Sequence, residues 1–387
     1  MSYLRRASTR SLVLVILAGL VVAAGAAAIA VAAGGSGGPT PPPEPLDQAI
    51  HDALAASKPD GVSARVDFTN NLFPSGALLG QTGSALMSGA SGRLWITNDG
   101  HGRIELQSDA GDVQIVWDPS TVTVYDASSN TVYKADLPQS TEPTDTSNDT
   151  APSLPEIDNT LTEIGTHWAL SDPQPTNVGG RPAYSVSASP QHDGGLLGSL
   201  QLAWDAAYGV PLSAGIYAQG SQAPALGLAV TDISYGAVPP SDVDIAPPAG
   251  AKVVDLGSGP ADHGSGTPAV TGLDAVTAAA DFPVVAPDSL VGLPRRDVRL
   301  VGGDTVLALY GEGLGGIALV ERKAAASGSG GGGPMSSLPT VSLDGISAHE
   351  LSTQLGTVLE WQAGGTDFVL AGSQPAAAAE AAARAVK

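Results

Sequence analysis

The sequence contains no cysteine among its 387 residues. This absence excludes disulfide bonds, a thiolate nucleophile, thiolate metal sites and a lipid-modified cysteine. Basic residues are also scarce, because 17 Lys and Arg stand against 38 Asp and Glu, for a formal net charge of −21. Binding to nucleic acid needs clustered positive charge, so we expect no nucleic-acid partner. Attachment to an anionic membrane surface by charge alone is unfavourable for the same reason.

The sequence also lacks the motifs that would indicate a metal or nucleotide site. The six histidines are scattered without ligand spacing, so we predict no metal site. The stretch GEGLGG at 311–316 satisfies the dinucleotide pattern and follows a predicted strand. A dinucleotide site requires a helix next, whereas IALVERK follows and predicts a second strand. We therefore predict a glycine-rich hairpin and no cofactor.

Catalytic motifs are missing as well. The one G-x-S-x-G match, GGSGG at 34–38, is a glycine-rich run without the strand–turn–helix pattern of a nucleophile elbow, and His349-Glu350 has no second histidine at zincin spacing. Asp242 and Asp244 alternate with apolar residues, which predicts a strand with both carboxylates on one face. Such a pair could act on a glycosidic bond. The favoured interpretation is that both carboxylates lie on the solvent-exposed face of an edge strand. We predict no catalytic residue and no enzyme.

The N-terminal segment predicts export from the cytoplasm. Arg5, Arg6 and Arg10 precede an uncharged apolar run from 12 to 33, which is long enough for a helix that crosses a bilayer. The basic flank predicts residues 1–11 as a cytoplasmic tail and everything after the helix as extracytoplasmic. The alternative is a signal peptide cleaved near residues 30–32, where small residues stand. In both cases residues 34–45, rich in Gly and Pro, form a tether.

The next region is predicted to be mainly β. Residues 46–57 have helical spacing of apolar residues, and from Gly61 the pattern changes to alternation interrupted by turn residues. The segment VQIVWDPSTVTVYDASSNTVYKADLP, 113–138, predicts three antiparallel strands. Val113, Ile115 and Trp117 point to one face, and Gln114 and Asp118 to the other, so one face is apolar and the other wet.

The rest of the chain divides at a Gly-rich linker. Residues 139–153 predict an acidic loop, 154–168 a helix, and strands resume up to 256. After the linker, 257–272, a small β-rich domain is predicted for 273–387. It includes a low-complexity stretch, 326–337, and an alanine-rich C-terminal helix.

The order of these elements resembles the LolA/LolB family of lipoprotein carriers, including mycobacterial lipid-carrier lipoproteins and RseB-type regulators. The resemblance covers about 46–256. It rests on the turn after strand VQIVWD, on a D-x-x-x-G-x-P-L pattern and on a later I-x-Y-G-x-V-P pattern. The matching residues of the two patterns are Asp205, Gly209, Pro211, Leu212, Ile233, Tyr235, Gly236, Val238 and Pro239.

The resemblance implies an incompletely closed antiparallel half-barrel with a helical lid over an apolar concave face. Its implied lipid-binding residues are Val66, Phe68, Leu94, Ile96, Ile104, Leu106, Ile115, Trp117, Val124, Leu202 and Trp204. The alternative is that these residues are core under helices, and a slip of one residue would invert the faces. The family arginine that holds a lipoprotein has no clear match, with Arg93, Arg103 and Arg181 nearby. The lipid-modified cysteine of the mycobacterial relatives is absent.

These observations lead to one main hypothesis and two alternatives. The main hypothesis is a membrane-tethered extracytoplasmic protein that holds acyl chains of a lipid or lipoprotein by burying apolar area. The first alternative is an RseB-like sensor whose second domain contacts a membrane-bound regulator. The second, less favoured, is an enzyme acting on envelope glycans through Asp242 and Asp244.

Overall fold

The computed structural model describes residues 38–72, 84–137, 151–258, 270–324 and 338–386. The predicted cytoplasmic tail, the predicted membrane helix 12–33 and the low-complexity stretch 326–337 lie outside these ranges, as do most of the acidic loop and the linker. Of the helices within the described ranges, none has the length and apolar character needed to span a bilayer. The described residues form two compact units, the first made of 38–71, 84–137, 151–189 and 199–258.

The first unit is mainly β, as the sequence predicts, with four helices. The helices are α1 (Leu46–Ala55), α2 (Ala85–Ser88), α3 (Leu154–Ile164) and α4 (Pro240–Val243). The strands are β1 (Gly61–Asn70), β2 (Ala90–Thr97), β3 (Gly102–Ser108), β4 (Gly111–Trp117), β5 (Thr121–Asp126), β6 (Thr131–Asp136), β7 (Trp168–Leu170), β8 (Gln174–Val178), β9 (Arg181–Pro190), β10 (Leu197–Asp205), β11 (Pro211–Ala218), β12 (Pro224–Tyr235) and β13 (Lys252–Ser258).

These thirteen strands form one open sheet. Its order is β13-β6-β5-β4-β3-β2-β1-β12-β11-β10-β9-β7, and β8 also pairs with β9. Strands β1 to β6 follow one another as an antiparallel meander, whereas β13 runs parallel to β6 at the edge. The two end strands, β13 and β7, do not pair with each other, so the sheet is not closed into a barrel.

The three strands predicted for 113–138 are confirmed as β4, β5 and β6. Their first turn is fixed by Asp118, whose carboxylate accepts hydrogen bonds from the backbone N–H groups of Ser120, at 2.6 Å, and Thr121, at 2.8 Å. The second turn uses Asp126 in the same way, because its carboxylate accepts from the Ser128 N–H at 2.9 Å. These side chains act as local turn formers, which explains the Asp residues between the apolar runs.

The sheet is strongly curved. Strand β8 is four positions away from β12 in the strand order, about 19 Å in a flat sheet. In the structure the turn after β8 reaches β12, because a Cβ placed on Gly179 would lie 2.9 Å from Val230 Cγ1. Val178 packs into the same apolar cluster as Val230. The face that carries Val230 is therefore the concave one.

Helix α1 packs on the face opposite to this cluster. Its residues Leu46, Ala49 and Ala53 form a separate small core with Tyr184 and Trp204 of β9 and β10. Helix α3 begins with a capping box of Ser153 and Glu156 and packs against α1. There His51 Nδ1 donates a hydrogen bond to the carbonyl of Pro152 at 2.9 Å. The lid implied by the resemblance is therefore not provided by α1.

Two predicted strand segments are helical turns instead. The prediction of a strand around Asp242 and Asp244 is wrong, because Pro240 begins the short helix α4 and this segment belongs to neither sheet. Asp242 and Asp244 therefore do not share a strand face, which the hypothesis of a glycosidase carboxylate pair requires. Residues 85–88, expected at the start of a strand, form α2 because the Ser84 hydroxyl accepts a hydrogen bond from the Leu86 N–H.

The second unit comprises 72, 190–198, 270–324 and 338–386 of the described residues. Its elements are α5 (Leu273–Ala279), β14 (Ser289–Leu290), β15 (Leu293–Val301), β16 (Thr305–Tyr310), β17 (Ile317–Lys323), β18 (Thr340–Leu343), β19 (Ile346–Ser352), β20 (Thr357–Ala363), β21 (Thr366–Gly372) and α6 (Ala376–Ala385). The sheet order is β14-β15-β16-β17-β21-β20-β19-β18. The GEGLGG stretch connects β16 and β17, which pair as antiparallel neighbours, so the predicted hairpin is confirmed.

Candidate functional site

Nine of the eleven predicted lipid-binding residues lie in one apolar cluster on the concave side of the first unit. We call their side chains the apolar face: Val66, Phe68, Leu94, Ile96, Ile104, Leu106, Ile115, Trp117 and Val124. The register explains the grouping, because Leu94, Ile104, Ile115 and Val124 are successive cross-strand partners on β2 to β5. Directly paired residues share a face of the sheet, so one line of apolar side chains crosses four strands.

One end of the apolar face is closed. Helix α2 packs there through Ala85, which is fully buried against the cluster. Phe68, Leu106 and Val113 are at most 5% exposed at this end. These residues form ordinary core, which fits the alternative interpretation of the apolar pattern.

The other end is less covered. Ile96, Trp117 and Val124 are only partly buried, and Tyr133, the cross-strand partner of Val124, is 37% exposed. The Trp117 indole lies over Gly102, since a Cβ on that glycine would be 2.1 Å from the ring. A glycine is therefore needed opposite Trp117 for the ring to lie on the sheet. Apolar side chains at this end are accessible without any rearrangement of the described residues.

Leu202 and Trp204 do not belong to the apolar face. They alternate along β10 with Ala203 and Asp205, and Asp205 is paired with Ala183 of the concave cluster. Leu202 and Trp204 thus point to the opposite side, where they pack with α1. Alternation along β10 separates Leu202 and Trp204 from Gln201 and Asp205, but it does not tell which of the two faces is the concave one.

The convex side of β1 to β3 is polar, as the alternation predicts. Arg65 and Asp67 are exposed on β1, between buried neighbours. Arg103 forms an ion pair with Glu105 and lies 4.9 Å from the centre of the Trp95 ring. Arg93 is exposed and is the cross-strand partner of Glu105. Of the three arginines near the family position, Arg93 and Arg103 therefore lie on this side, away from the apolar face.

Arg181 lies on the concave side, in a buried polar network that the sequence did not predict. Its Nε donates to Asp205 Oδ2 at 2.8 Å, and the Tyr235 hydroxyl donates to the same oxygen at 2.7 Å. The other oxygen, Oδ1, accepts from the backbone N–H groups of Ala207 and Tyr208 at 2.8 and 3.2 Å. Asp205 is fully buried, and these four bonds satisfy its carboxylate.

The network explains the two sequence patterns on which the resemblance rests. Asp205 and Tyr235 are the polar members of those patterns, and they meet although 30 residues separate them. Gly209 has φ +63°, and a Cβ there would lie 2.1 Å from the Ala53 carbonyl oxygen. The turn after β10 can therefore hold only glycine where it approaches α1. The two patterns indicate Asp205 and Tyr235, but they do not indicate that Arg181 pairs with them.

The network also fixes the charge of its members. Burial alone would raise the pKa of the Asp205 carboxyl, but the hydrogen bonds from Arg181, Tyr235 and Ala207 outweigh it and hold this pKa below its ordinary value. The hydrogen bond to Asp205 raises the pKa of Arg181. Burial, followed by the bond to Asp205, raises the pKa of Tyr235 well above its ordinary value. Asp205 is therefore an anion and Arg181 a cation at neutral pH.

Comparisons with known proteins give no family model and no curated protein that matches this sequence. Among solved structures, MucB in complex with the periplasmic part of MucA is 14% identical, with a TM-score of 0.40, over 87% of this chain and 95% of that one. The Pseudomonas aeruginosa MucA/MucB complex gives 15% identity and a TM-score of 0.41, over 87% and 95%. A domain from Vibrio parahaemolyticus, described as that of an outer membrane lipoprotein-sorting protein, gives 10% and 0.20, over 51% and 93%.

At identities and TM-scores of this size, what this chain binds must be argued from its own residues.

Proposed function

We propose that the first unit binds the acyl chains of a lipid or lipoprotein on its apolar face. The observation that carries the proposal is the partly buried end of that face, where Ile96, Trp117 and Val124 lie on the concave side of an open sheet. A face that served only as core would be covered along its whole length, yet among the described helices α2 covers only one end of it and α1 packs on the other side of the sheet. The role is binding, without a chemical reaction.

The proposal includes a location outside the cytoplasm. Its support is the apolar run 12–33 with its basic flank, which fits a retained membrane anchor or a signal peptide. An anchored chain would hold its ligand beside the membrane. A free carrier would exchange it between surfaces.

A pair of valines on neighbouring strands provides the test. Val124 on β5 belongs to the apolar face, while Val116 on β4 points to the opposite side, and both are partly buried. Displacement of a fluorescent fatty acid would be measured for Val124→Asn and for Val116→Asn. We expect Val124→Asn to weaken binding about tenfold, because one apolar contact is worth about 1.5 kcal/mol, and Val116→Asn to leave it unchanged.

Two results would contradict the proposal. One is wild-type protein that takes up no acyl probe. The other is an equal loss of affinity in both valine variants at equal thermal stability, which would place the ligand away from the apolar face.

A sensor that contacts a membrane-bound regulator is the second candidate. It is favoured by the second unit, which has its own eight-stranded sheet and its own hydrophobic core and is not needed to form the apolar face. The test is titration of the full chain with purified extracytoplasmic domains of the host's membrane-bound regulators, with and without lipid. Binding that changes with lipid would favour the sensor over a simple carrier.

A further inference from the structure

The turn between β14 and β15 holds a valine in a strained conformation. Leu290 and Leu293 are cross-strand partners, so Val291 and Gly292 alone make the turn. Their φ angles are +45° and +84°, both in the left-handed region, as a type I′ hairpin turn requires. A β-branched residue adopts this region only at a cost in free energy, because its side chain crowds the backbone.

Other turns of the same kind in this chain avoid that cost. The two-residue turns at 179–180, 344–345 and 364–365 also have two positive φ angles, and they consist of Gly-Gly, Asp-Gly and Gly-Gly. These are the residues that the conformation favours. The turn therefore does not account for the valine at 291. Core packing does not account for it either, because the side chain is 44% exposed.

A second exposed aliphatic residue lies at the same end of the sheet. The Gly311–Gly316 turn between β16 and β17 carries Leu314, which is 50% exposed. This turn lies beside the first one, because the Gly311 N–H donates a hydrogen bond at 2.9 Å to the carbonyl of Pro294, three residues after Val291. We call the side chains of Val291 and Leu314 the apolar tips.

The charges on and beside the two turns nearly cancel. Arg295 pairs with Asp288 at 2.9 Å, and Arg296 pairs with Glu312. Asp193, which contacts the glycine-rich turn, adds one negative charge. The chain as a whole carries a formal charge of −21. The apolar tips therefore lie in a nearly neutral region of an acidic protein, where the approach of a layer of lipid headgroups meets little repulsion.

A bilayer is within reach of an anchored chain. The predicted anchor ends at residue 33, and the described chain begins at 38. The five peptide links between these positions span at most about 17 Å, so the anchor holds the chain beside the membrane. Tethering raises the effective concentration of the bilayer, so two aliphatic side chains are enough for a reversible contact.

We propose that the apolar tips insert into the surface of the membrane that anchors the chain, so that the second unit rests on the bilayer. Lipid is favoured over a protein partner, because a hydrocarbon layer accepts aliphatic side chains without a matching pocket, whereas protein contacts depend mainly on Trp, Tyr and Arg. This contact rests on the membrane location in the proposed function and is independent of the acyl ligand.

The absence of cysteine allows a label at each tip of the full chain. Val291→Cys, Leu314→Cys and Ile346→Cys would each carry the fluorophore NBD, with the chain reconstituted in phosphatidylcholine vesicles. Ile346 is the matched control, because it is 38% exposed and lies at the opposite end of the same sheet. Lipids with a nitroxide on the acyl chain should quench the labels at 291 and 314 and leave the label at 346 unquenched.

Val291→Asn separates membrane contact from structure. Asn-Gly is the pair that this turn favours, so the variant should melt at a higher temperature than the wild type. The same change removes an aliphatic group from the bilayer. In the Leu314→Cys chain it should lower the equilibrium constant for insertion about fivefold, because roughly half of a valine side chain no longer leaves water. Ile346→Asn should leave that constant unchanged. A valine with only a structural role would give higher stability with unchanged quenching.

Four results would overturn the inference. The labels at 291 and 314 could stay unquenched in a chain that floats with the vesicles, or the label at 346 could be quenched equally. Quenching could be unaffected by Val291→Asn. A dimer that forms without vesicles and is lost in Val291→Asn would assign the apolar tips to a second copy. A chain that does not float with vesicles removes the membrane location as well, whereas uptake of a fluorescent fatty acid tests the acyl ligand separately.

Discussion

Asp205 is fully buried in the first unit and accepts four hydrogen bonds, from Arg181, Tyr235 and two backbone N–H groups. Asp205→Asn removes the negative charge and leaves Arg181 without its partner. Breaking such a pair should lower the free energy of unfolding by about 3 kcal/mol. Urea denaturation would measure it. Asp232→Asn, at an exposed position on β12, is the control and should change stability by less than about 0.5 kcal/mol.

Glu321 makes the second unit sensitive to pH. Its side chain is fully buried, one carboxylate oxygen accepts the Val285 N–H at 2.7 Å, and Oε1 has no partner among the described residues. Burial raises the pKa of the Glu321 carboxyl to about 7. The folded protein therefore holds this proton more tightly than the unfolded chain, so stability is greatest below about pH 4.5 for this group and falls as the pH rises to about 7.

The loss of stability from this group should total about 3 kcal/mol between pH 4.5 and 7.5. Thermal melts of the unit's near-ultraviolet circular dichroism across that range would show it, since Trp361 and Phe368 stack in the same core. Glu321→Gln should flatten the profile, and Glu360→Gln, at a less buried position on β20, should retain it. A wild-type profile that rises over this interval would contradict the assignment.

At this scale the sequence located single residues but not their partners. Their spacing marks Asp205 and Tyr235, whereas the sequence marks Arg181 only as one of three arginines near the family position. The three meet because the sheet curves and because the start of β9 lies beside the ends of β10 and β12, which is tertiary information. Nothing in the sequence marks Glu321, since a glutamate within an alternating strand gives no sign of burial.

At the scale of elements, the meander was the most predictable part. Strands β4 to β6 alternate apolar and polar residues and are separated by Asp-containing turns, so period and turn chemistry agree. The predictions that are wrong concern short elements or elements that begin at a proline. Helices α2 and α4 have four residues each, too few for a periodic pattern, and a serine cap or a proline decides their conformation.

The apolar face also predicts how affinity depends on acyl chain length. Each methylene that leaves water for an apolar surface contributes about 0.8 kcal/mol, which is about fourfold in affinity. For fatty acids of increasing length, the dissociation constant should fall about fourfold per methylene and level off once the face is filled. Isothermal titration calorimetry would measure the series. Affinity that does not change with chain length would show that the acyl chain is not the bound part.

For the whole molecule, the sequence predicted a mainly β chain, and the structure has two open sheets in two compact units. The predicted domain boundaries at 256 and 273 remain a prediction. Local patterns could not show that residues 190–198, the turn between β9 and β10, group with the second unit. Such assignments depend on long-range packing, which composition and periodicity do not report.

The central claim is that the protein holds an acyl chain, and native mass spectrometry tests it most directly. The chain from residue 38 to 387 would be purified from a related host without detergent, measured intact and then extracted with organic solvent. We predict an added mass that disappears on extraction and is recovered as a species with acyl chains. A bare protein mass, with no uptake of added phospholipid or triacylated peptide, would contradict the claim.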